Sequence, residues 1–330
     1  MSVIFCGGEM EDVLQYQGAI AVSTSTALFR SAYARIGLEV SASAAFTNGF
    51  AVGFAASSQI GLTARIGQNS AITAGNLFFM LADTGIGNNR LRLKTTSANP
   101  TTVVLEKYNG TTVSTLATST NTISIGTFRM DVIVNYAVSG RVRVWFDGVL
   151  FIDYSGDVTG GGTTLNQAWF GALRSSTTPT VWSEIIVTDG QDPRTLSLKT
   201  LVPDSVGSAN AWVGAWSDVD DATASDVDVM SSASAGQVAN LGLTGMPVGW
   251  SNLTVTAVKL VASAARGATG PSKLALGVRT NSADTFPTAV TLDTGFSAAV
   301  TTTYALNPVT GLAWTPAEID ALQLALRSEA

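Results

Sequence analysis

The sequence predicts an all-β protein. Residues 128–136 alternate, with Phe128, Met130, Val132, Val134 and Tyr136 on one face and Arg129, Asp131, Ile133 and Asn135 on the other. That is the period of a strand buried on one side. Residues 141–146 and 149–154 flank Asp147-Gly148, a pair that accepts the positive φ of a tight hairpin turn. Strand-like segments recur roughly every 8–12 residues with turn residues between them, the spacing of a sandwich or barrel.

The first residues, up to Glu11, read as a short strand and turn, and residues 32–40 as a strand. Residues 49–55 follow, their glycines marking a bend or a close backbone approach. Further strands are expected at 63–66, 77–82, 90–94, 102–108 and 112–116, the last two joined by a second hairpin signal, Asn109-Gly110. After the Asp147-Gly148 hairpin come 169–174 and 181–188. Gly160-Gly161-Gly162 is a loop and no phosphate cradle, because no Lys-Ser/Thr follows it and no helix opens there. Turn residues and a proline at 189–194 mark a domain boundary. Beyond it, 253–263, 274–280, 289–292 and 301–306 read as strands. Thr315-Pro316-Ala317-Glu318 is a capping box with proline at the first helical position. Leu322, Leu324 and Leu326 then alternate with polar or small residues, so one helical turn to about Asp320 and a closing strand are expected. A helix continuing to Arg327 is the competing reading.

At 330 residues the chain is long for one domain and suits two of roughly 130–190 residues each. Hydrophobic residues make up 46% and charged residues only 13%, which supports packed cores and surfaces of small polar residues suited to close packing against copies or neighbours. The net charge of −6, with no Lys/Arg cluster, argues against a nucleic-acid partner. A single cysteine, Cys6, forms no intrachain disulfide and is expected as a small buried hydrophobe. The N-terminus lacks the pattern of a signal peptide and no run is long and apolar enough for membrane insertion, so synthesis and folding in a cytoplasm are expected. The chain has no histidine, which removes Ser-His-Asp and Cys-His catalysis and His-ligated zinc.

The run FRMDVIVNY…GRVRVWFDGVLFIDYSG…WFGAL…WSEIIVTDG resembles the concanavalin A-like lectin/glucanase (laminin-G-like) jelly rolls over about residues 1–190. Residues 128–136, 142–154 and 182–188 occupy the places of that family's aromatic-marked strand, Asp-Gly hairpin and late acidic strand. The remainder resembles a module found beside such domains in tailed-phage virion proteins. It does so through Trp212…Trp216, residues 255–266 and the pattern Asn307-Pro308-x-x-Gly311…Trp314-Thr315…Glu318. The resemblance implies a jelly-roll sandwich over 1–192 and a smaller C-terminal β-sandwich over 193–330 for attachment or oligomerisation. It further implies a structural virion component of tail, fibre or capsid surface, made in the host cytoplasm. Its partners would be other virion proteins, copies of itself (a trimer by family expectation) and host-surface glycan. A carbohydrate-active tailspike-type hydrolase is the alternative.

Glucanases of that fold carry E-x-D-x-E on one strand, because residues i, i+2 and i+4 share a face and bring two carboxylates to roughly 5 Å. This chain lacks the motif: Glu9 and Glu11 lack the third carboxylate, and Glu184 stands alone on its strand. With histidine also missing, no enzymatic activity is expected. Asp218, Asp220 and Asp221, with Asp226 and Asp228, form the densest acidic stretch, a solvated loop or a structural Ca²⁺ site that lacks the EF-hand's Gly and Glu; no other cofactor is expected. Trp145, Trp169 and Trp182 are candidates for stacking on sugars, and Arg143 stands beside Trp145 on the face opposite Val144 and Phe146. The same rings compete for core positions or partner contacts. Trp212, Trp216, Trp250 and Trp314 are expected to anchor the second domain's core or a subunit interface.

Overall fold

The computed structural model describes residues 3–7, 15–17, 20–23, 37–41, 48–83, 89–173, 179–221, 227–295 and 298–330. The strand expected at 32–40 is described only from Gly37, and Glu9, Glu11, Arg174 and Asp226 lie outside the described residues. The chain divides into two compact units, Met1–Leu198 and Lys199–Ala330.

The first unit holds β1 (Val3–Gly7), β2 (Gln15–Gln17), β3 (Ile20–Ser23), β4 (Gly37–Val40), β5 (Gly49–Ser57), β6 (Gln59–Gln68), β7 (Leu77–Ala82) and β8 (Asn89–Thr95). It continues with β9 (Val103–Tyr108), β10 (Val113–Thr118), β11 (Gly126–Asn135), β12 (Gly140–Phe146), β13 (Val149–Gly156), β14 (Leu165–Gly171) and β15 (Thr180–Asp189). An eight-stranded sheet runs β13-β12-β11-β6-β15-β4-β3, with β1 also on β15, and a seven-stranded sheet runs β10-β9-β8-β7-β14-β5-β2. All pairings are antiparallel, and the two sheets face one another as a jelly-roll sandwich.

The alternation read from sequence sets this up. Phe128, Met130, Val132 and Val134 of β11 enter the inter-sheet core with Val142, Val144 and Phe146 of β12. Asp147 (φ 48°) and Gly148 (φ 78°) make the expected hairpin turn, and the Asp147 carboxylate accepts the backbone N–H of Arg129 at 2.9 Å. Trp182 is fully buried, and its indole Nε1 donates to the Gly171 carbonyl at 2.9 Å, a bond from β15 of one sheet to β14 of the other. Lys107 on β9 reaches Asp157, just past β13, at 2.6 Å and ties the two sheets at one end. That bond, followed by those from Thr159, lowers the Asp157 carboxyl to about 2. A carboxyl depressed by folding adds stability above its unfolded value near 3.8, and that stability is lost as pH falls from about 4 through about 2. Asp157→Asn is therefore expected to flatten the acid limb of the melting temperature across that window and to leave its slope near neutrality unchanged.

Trp169 points out of the main core and packs with Ala51, Leu77 and Met80 in a small buried cluster of its own. Its ring fills the space left by Gly49 and Gly171, where an added Cβ would lie 2.2 Å from ring carbons and 2.6–2.7 Å from backbone oxygens. Gly49→Ala is expected to cost about 1–3 kcal/mol by overpacking, read as a lowered denaturation midpoint.

The second unit holds β16 (Pro203–Asn210), β17 (Val238–Leu243), β18 (Val258–Ala264), β19 (Lys273–Thr280), β20 (Ala283–Thr285), β21 (Val290–Thr291), β22 (Ala298–Tyr304), α1 (Pro316–Asp320) and β23 (Gln323–Glu329). A six-stranded sheet, β16-β17-β23-β19-β20 with β21 also on β19, accompanies a two-stranded ribbon, β18-β22. Leu241, Leu274, Leu276, Val278 and Leu326 share a core with Leu260, Val300 and Trp314. The capping box forms as expected, Thr315 and Glu318 bonding reciprocally, and the chain after α1 is a strand rather than more helix. Asn307 explains why the Asn-Pro-x-x-Gly…Trp-Thr…Glu pattern hangs together. Its side-chain oxygen accepts Val309 N–H at 2.9 Å, its amide donates to Glu318 at 2.8 Å, and its carbonyl takes the N–H of Gly311, which sits at φ 70°.

Candidate functional site

The outer face of the eight-stranded sheet carries the residues that project away from the core on β11, β12 and β6. Residues 189–198 cross this face as a strap. Gly61 in β6 permits the close approach, since a Cβ there would lie 2.1 Å from the Gln191 carbonyl oxygen. Arg129 clamps the strap, donating to the carbonyls of Pro193 at 2.6 Å and Leu196 at 2.9 Å while its Nε holds the buried Asp131 at 2.8 Å.

Under the strap sits Trp145. Alternation placed it on this face, and it does lie there, opposite Asp131 in register. However, the Arg194 guanidinium stands 4.4 Å from its ring and that of Arg143 5.2 Å, and the residue is only 4% exposed. Arg194 is held by Asp192 at 2.6 Å, and Arg141 by Asp153 at 2.6–2.8 Å through both carboxylate oxygens. These bonds hold both carboxyls below their ordinary range, with Arg143 contributing further to each. Both carboxylates are thus ionised at neutral pH and already engaged. Arg143 differs from its neighbours. It is half-buried, stacked beside Trp145 and set between Asp153 and Asp192 in charge, yet among the described residues no hydrogen bond or ion pair takes its N–H donors.

The tryptophans expected to stack on sugars need correcting. Trp182 is wholly in the core, Trp169 is buried over Gly49 and Gly171, and Trp145 is capped by two guanidinium groups, so none presents an open ring face. Burial came from groups distant in sequence, above all the strap over Trp145. Arg143, by contrast, is half-buried on the outer face. Among the described residues no group of three or more His, Cys, Asp or Glu could hold a metal ion, and Asp226 of the acidic stretch lies outside them. Asp218 instead accepts the Ala215 N–H at 2.8 Å at the start of a short 3-10 turn. Desolvation, then the charges of Asp218 and Asp221, raise the Asp228 carboxyl nearby.

Two further charged groups are structural. Glu184 sits in the irregularity that lets β15 exchange β4 for β1 as its partner; it adopts φ 50° and binds Arg65 at 2.7 Å. On the outer face of the seven-stranded sheet, Glu106 takes Arg92 at 2.6 Å and Lys94 at 3.6 Å. Sequence reasoning missed Arg194, whose signal lay in a boundary segment read only as a linker.

No family model matches the chain, and no curated protein matches it. Solved structures with similar shape include an endo-β-1,4-glucuronan lyase from the fungus Trichoderma reesei, at 10% identity and TM-score 0.42, covering 55% of this chain and 93% of that one. They also include the alginate lyase Aly36B, at 13% identity and TM-score 0.35, covering 59% and 98%. A third is the carbohydrate-binding module CBM66 from Bacillus subtilis, at 14% identity and TM-score 0.30, covering 42% and 80%. These likenesses are of fold. The expectation of a chain without enzymatic activity is corrected: structures of similar shape include proteins named as polysaccharide lyases, and a missing E-x-D-x-E motif and missing histidine exclude only the chemistries that need them. The first unit is, by its own strand order and shared core, an antiparallel two-sheet jelly-roll sandwich.

Proposed function

We propose that this protein is a surface component of a tailed-phage or phage-like particle whose first unit engages host-surface glycan on the outer face of the eight-stranded sheet, around Arg143. The observation that carries the glycan contact is the Arg143 guanidinium, positioned beside Trp145 with its donors uncommitted among the described residues. An oriented, unspent fork of donors is what a sugar's oxygen atoms need. The virion setting rests on the sequence resemblance of residues 193–330. Other virion proteins and further copies of the chain, a trimer on family grounds, are the partners there. Repetition over identical copies turns weak single contacts into avidity.

Binding of the full chain to purified lipopolysaccharide, polygalacturonate and dextran, followed by isothermal titration, tests the contact. At least one should bind, and Arg143→Ala should weaken it about tenfold, or ~1.4 kcal/mol, without lowering the melting temperature. Failure to bind any of them, or unchanged affinity in the variant, rejects the site. The same incubations report on chemistry: reducing ends appearing with time would make the chain an enzyme on that glycan.

A further inference from the structure

Arg141, Arg143 and Arg194 lie beside Asp153 and Asp192, and the outward charge of this cluster is therefore +1 on a chain whose net charge is −6. Arg129 and Asp131 beneath it cancel. Four of these charges are spent on each other: Arg141 grips both oxygens of Asp153, and Arg194 both oxygens of Asp192. The remaining cation is Arg143, whose position is fixed by the Trp145 ring.

We infer that the group recognised by Arg143 is the carboxylate of an acidic sugar, taken edge-on by the guanidinium as a bidentate pair. This deepens the glycan reading above and rests on it. The argument is one of charge and geometry. A cluster carrying one net positive charge matches a monoanion. A phosphate, with a charge of about −1.5 to −2 at neutral pH, would be brought against the flanking carboxylates of Asp153 and Asp192 with too little cation to offset it. A planar guanidinium fork complements a carboxylate's paired oxygens. Asp153, which accepts one bond on each oxygen, keeps lone pairs for the hydroxyl groups that a sugar acid places beside its carboxylate, which a bare small anion lacks. The ligand class is thus a uronate-type glycan rather than a neutral one.

Full-length protein is titrated with polygalacturonate and with the same polymer after chemical reduction of its carboxyl groups, at low and moderate salt. The native chain should bind the acidic polymer at least about tenfold more tightly than the reduced one. Arg143→Ala should abolish that preference at an unchanged melting temperature. Arg143→Lys, which keeps the charge but not the fork, should restore only a minor part of it. Equal affinity for both polymers overturns the carboxylate assignment while leaving the glycan reading standing, and binding of neither overturns both. A preference that survives in Arg143→Ala places the carboxylate elsewhere and overturns the assignment, as does equally tight, Arg143-dependent binding of dextran sulfate.

Discussion

Trp182→Ala is expected to destabilise the first unit by about 3–5 kcal/mol, the largest loss from any single truncation of its core. The ring is fully buried, meets Phe170 edge-on at 4.9 Å and 61°, and lies opposite Leu38 and Ile66 in register. Alanine would leave a void where two sheets meet, and interiors packed at crystal density relax only partly around such voids. The indole also joins the sheets directly through its bond to the Gly171 carbonyl. Trp182→Phe separates the contributions: it keeps most of the packing, loses the bond, and should cost about 1–2 kcal/mol. Urea unfolding of both variants measures this, with the two units' transitions fitted separately because one two-state curve does not describe two units. A loss below about 1 kcal/mol for the alanine variant would mean that Trp182 does not hold the sandwich together.

Asn307→Ala should have the next largest effect, about 2–4 kcal/mol in the second unit. The side chain is wholly buried and spends both its oxygen and its amide, so removal strips the turn at 307–311 of its fixed point and leaves Glu318 short of a donor. Glu318 carries the capping box as well, and its carboxyl is held below the ordinary range first by the Thr315 N–H, with Asn281 and Asn307 adding to it. Asn307→Asp should do at least as much damage at neutral pH, because it sets a second carboxylate against Glu318 in a buried site. That excess should shrink as the solution is acidified and one of the pair takes a proton. Fluorescence of the buried Trp314 during unfolding reports the change; equal stability of the aspartate variant and the native chain would contradict it.

The parts of the fold legible in the sequence are those where a local rule and tertiary packing agree. The β11–β12–β13 meander follows from strict alternation and Asp147-Gly148, and the end of the chain from a capping box followed by period-2 leucines. Strands β16 and β17 were not legible. Pro203–Asn210 is almost wholly exposed and polar, and Val238–Leu243 carries Asn240 and Gly242 where a strand would show large residues. β17 is made a strand by pairing with β23, and β16 by pairing with β17, and no local signal encodes that.

At the candidate site the sequence supplied the neighbourhood and misjudged the actors. Trp145 and Arg143 share the outer face because residues two apart on a strand must. What alternation could not foresee is that Pro193, Arg194 and Leu196, some fifty residues later, return across that face, where Arg129 holds the chain and Arg194 covers the ring. Trp169 misleads in a related way: it faces outward, yet glycines on its own and the adjacent strand let the indole sink against the sheet. An aromatic residue signals a platform only when nothing distant folds over it, and that is a property of tertiary structure.

Hydrogen–deuterium exchange of the full chain, with and without polygalacturonate, tests the placement of glycan around Arg143 most directly. Slowed exchange confined to residues 141–156 and the strap at 189–198 is the predicted result. Protection of residues 91–108 on the opposite sheet, or bound polymer with no protection of the first unit, would contradict it.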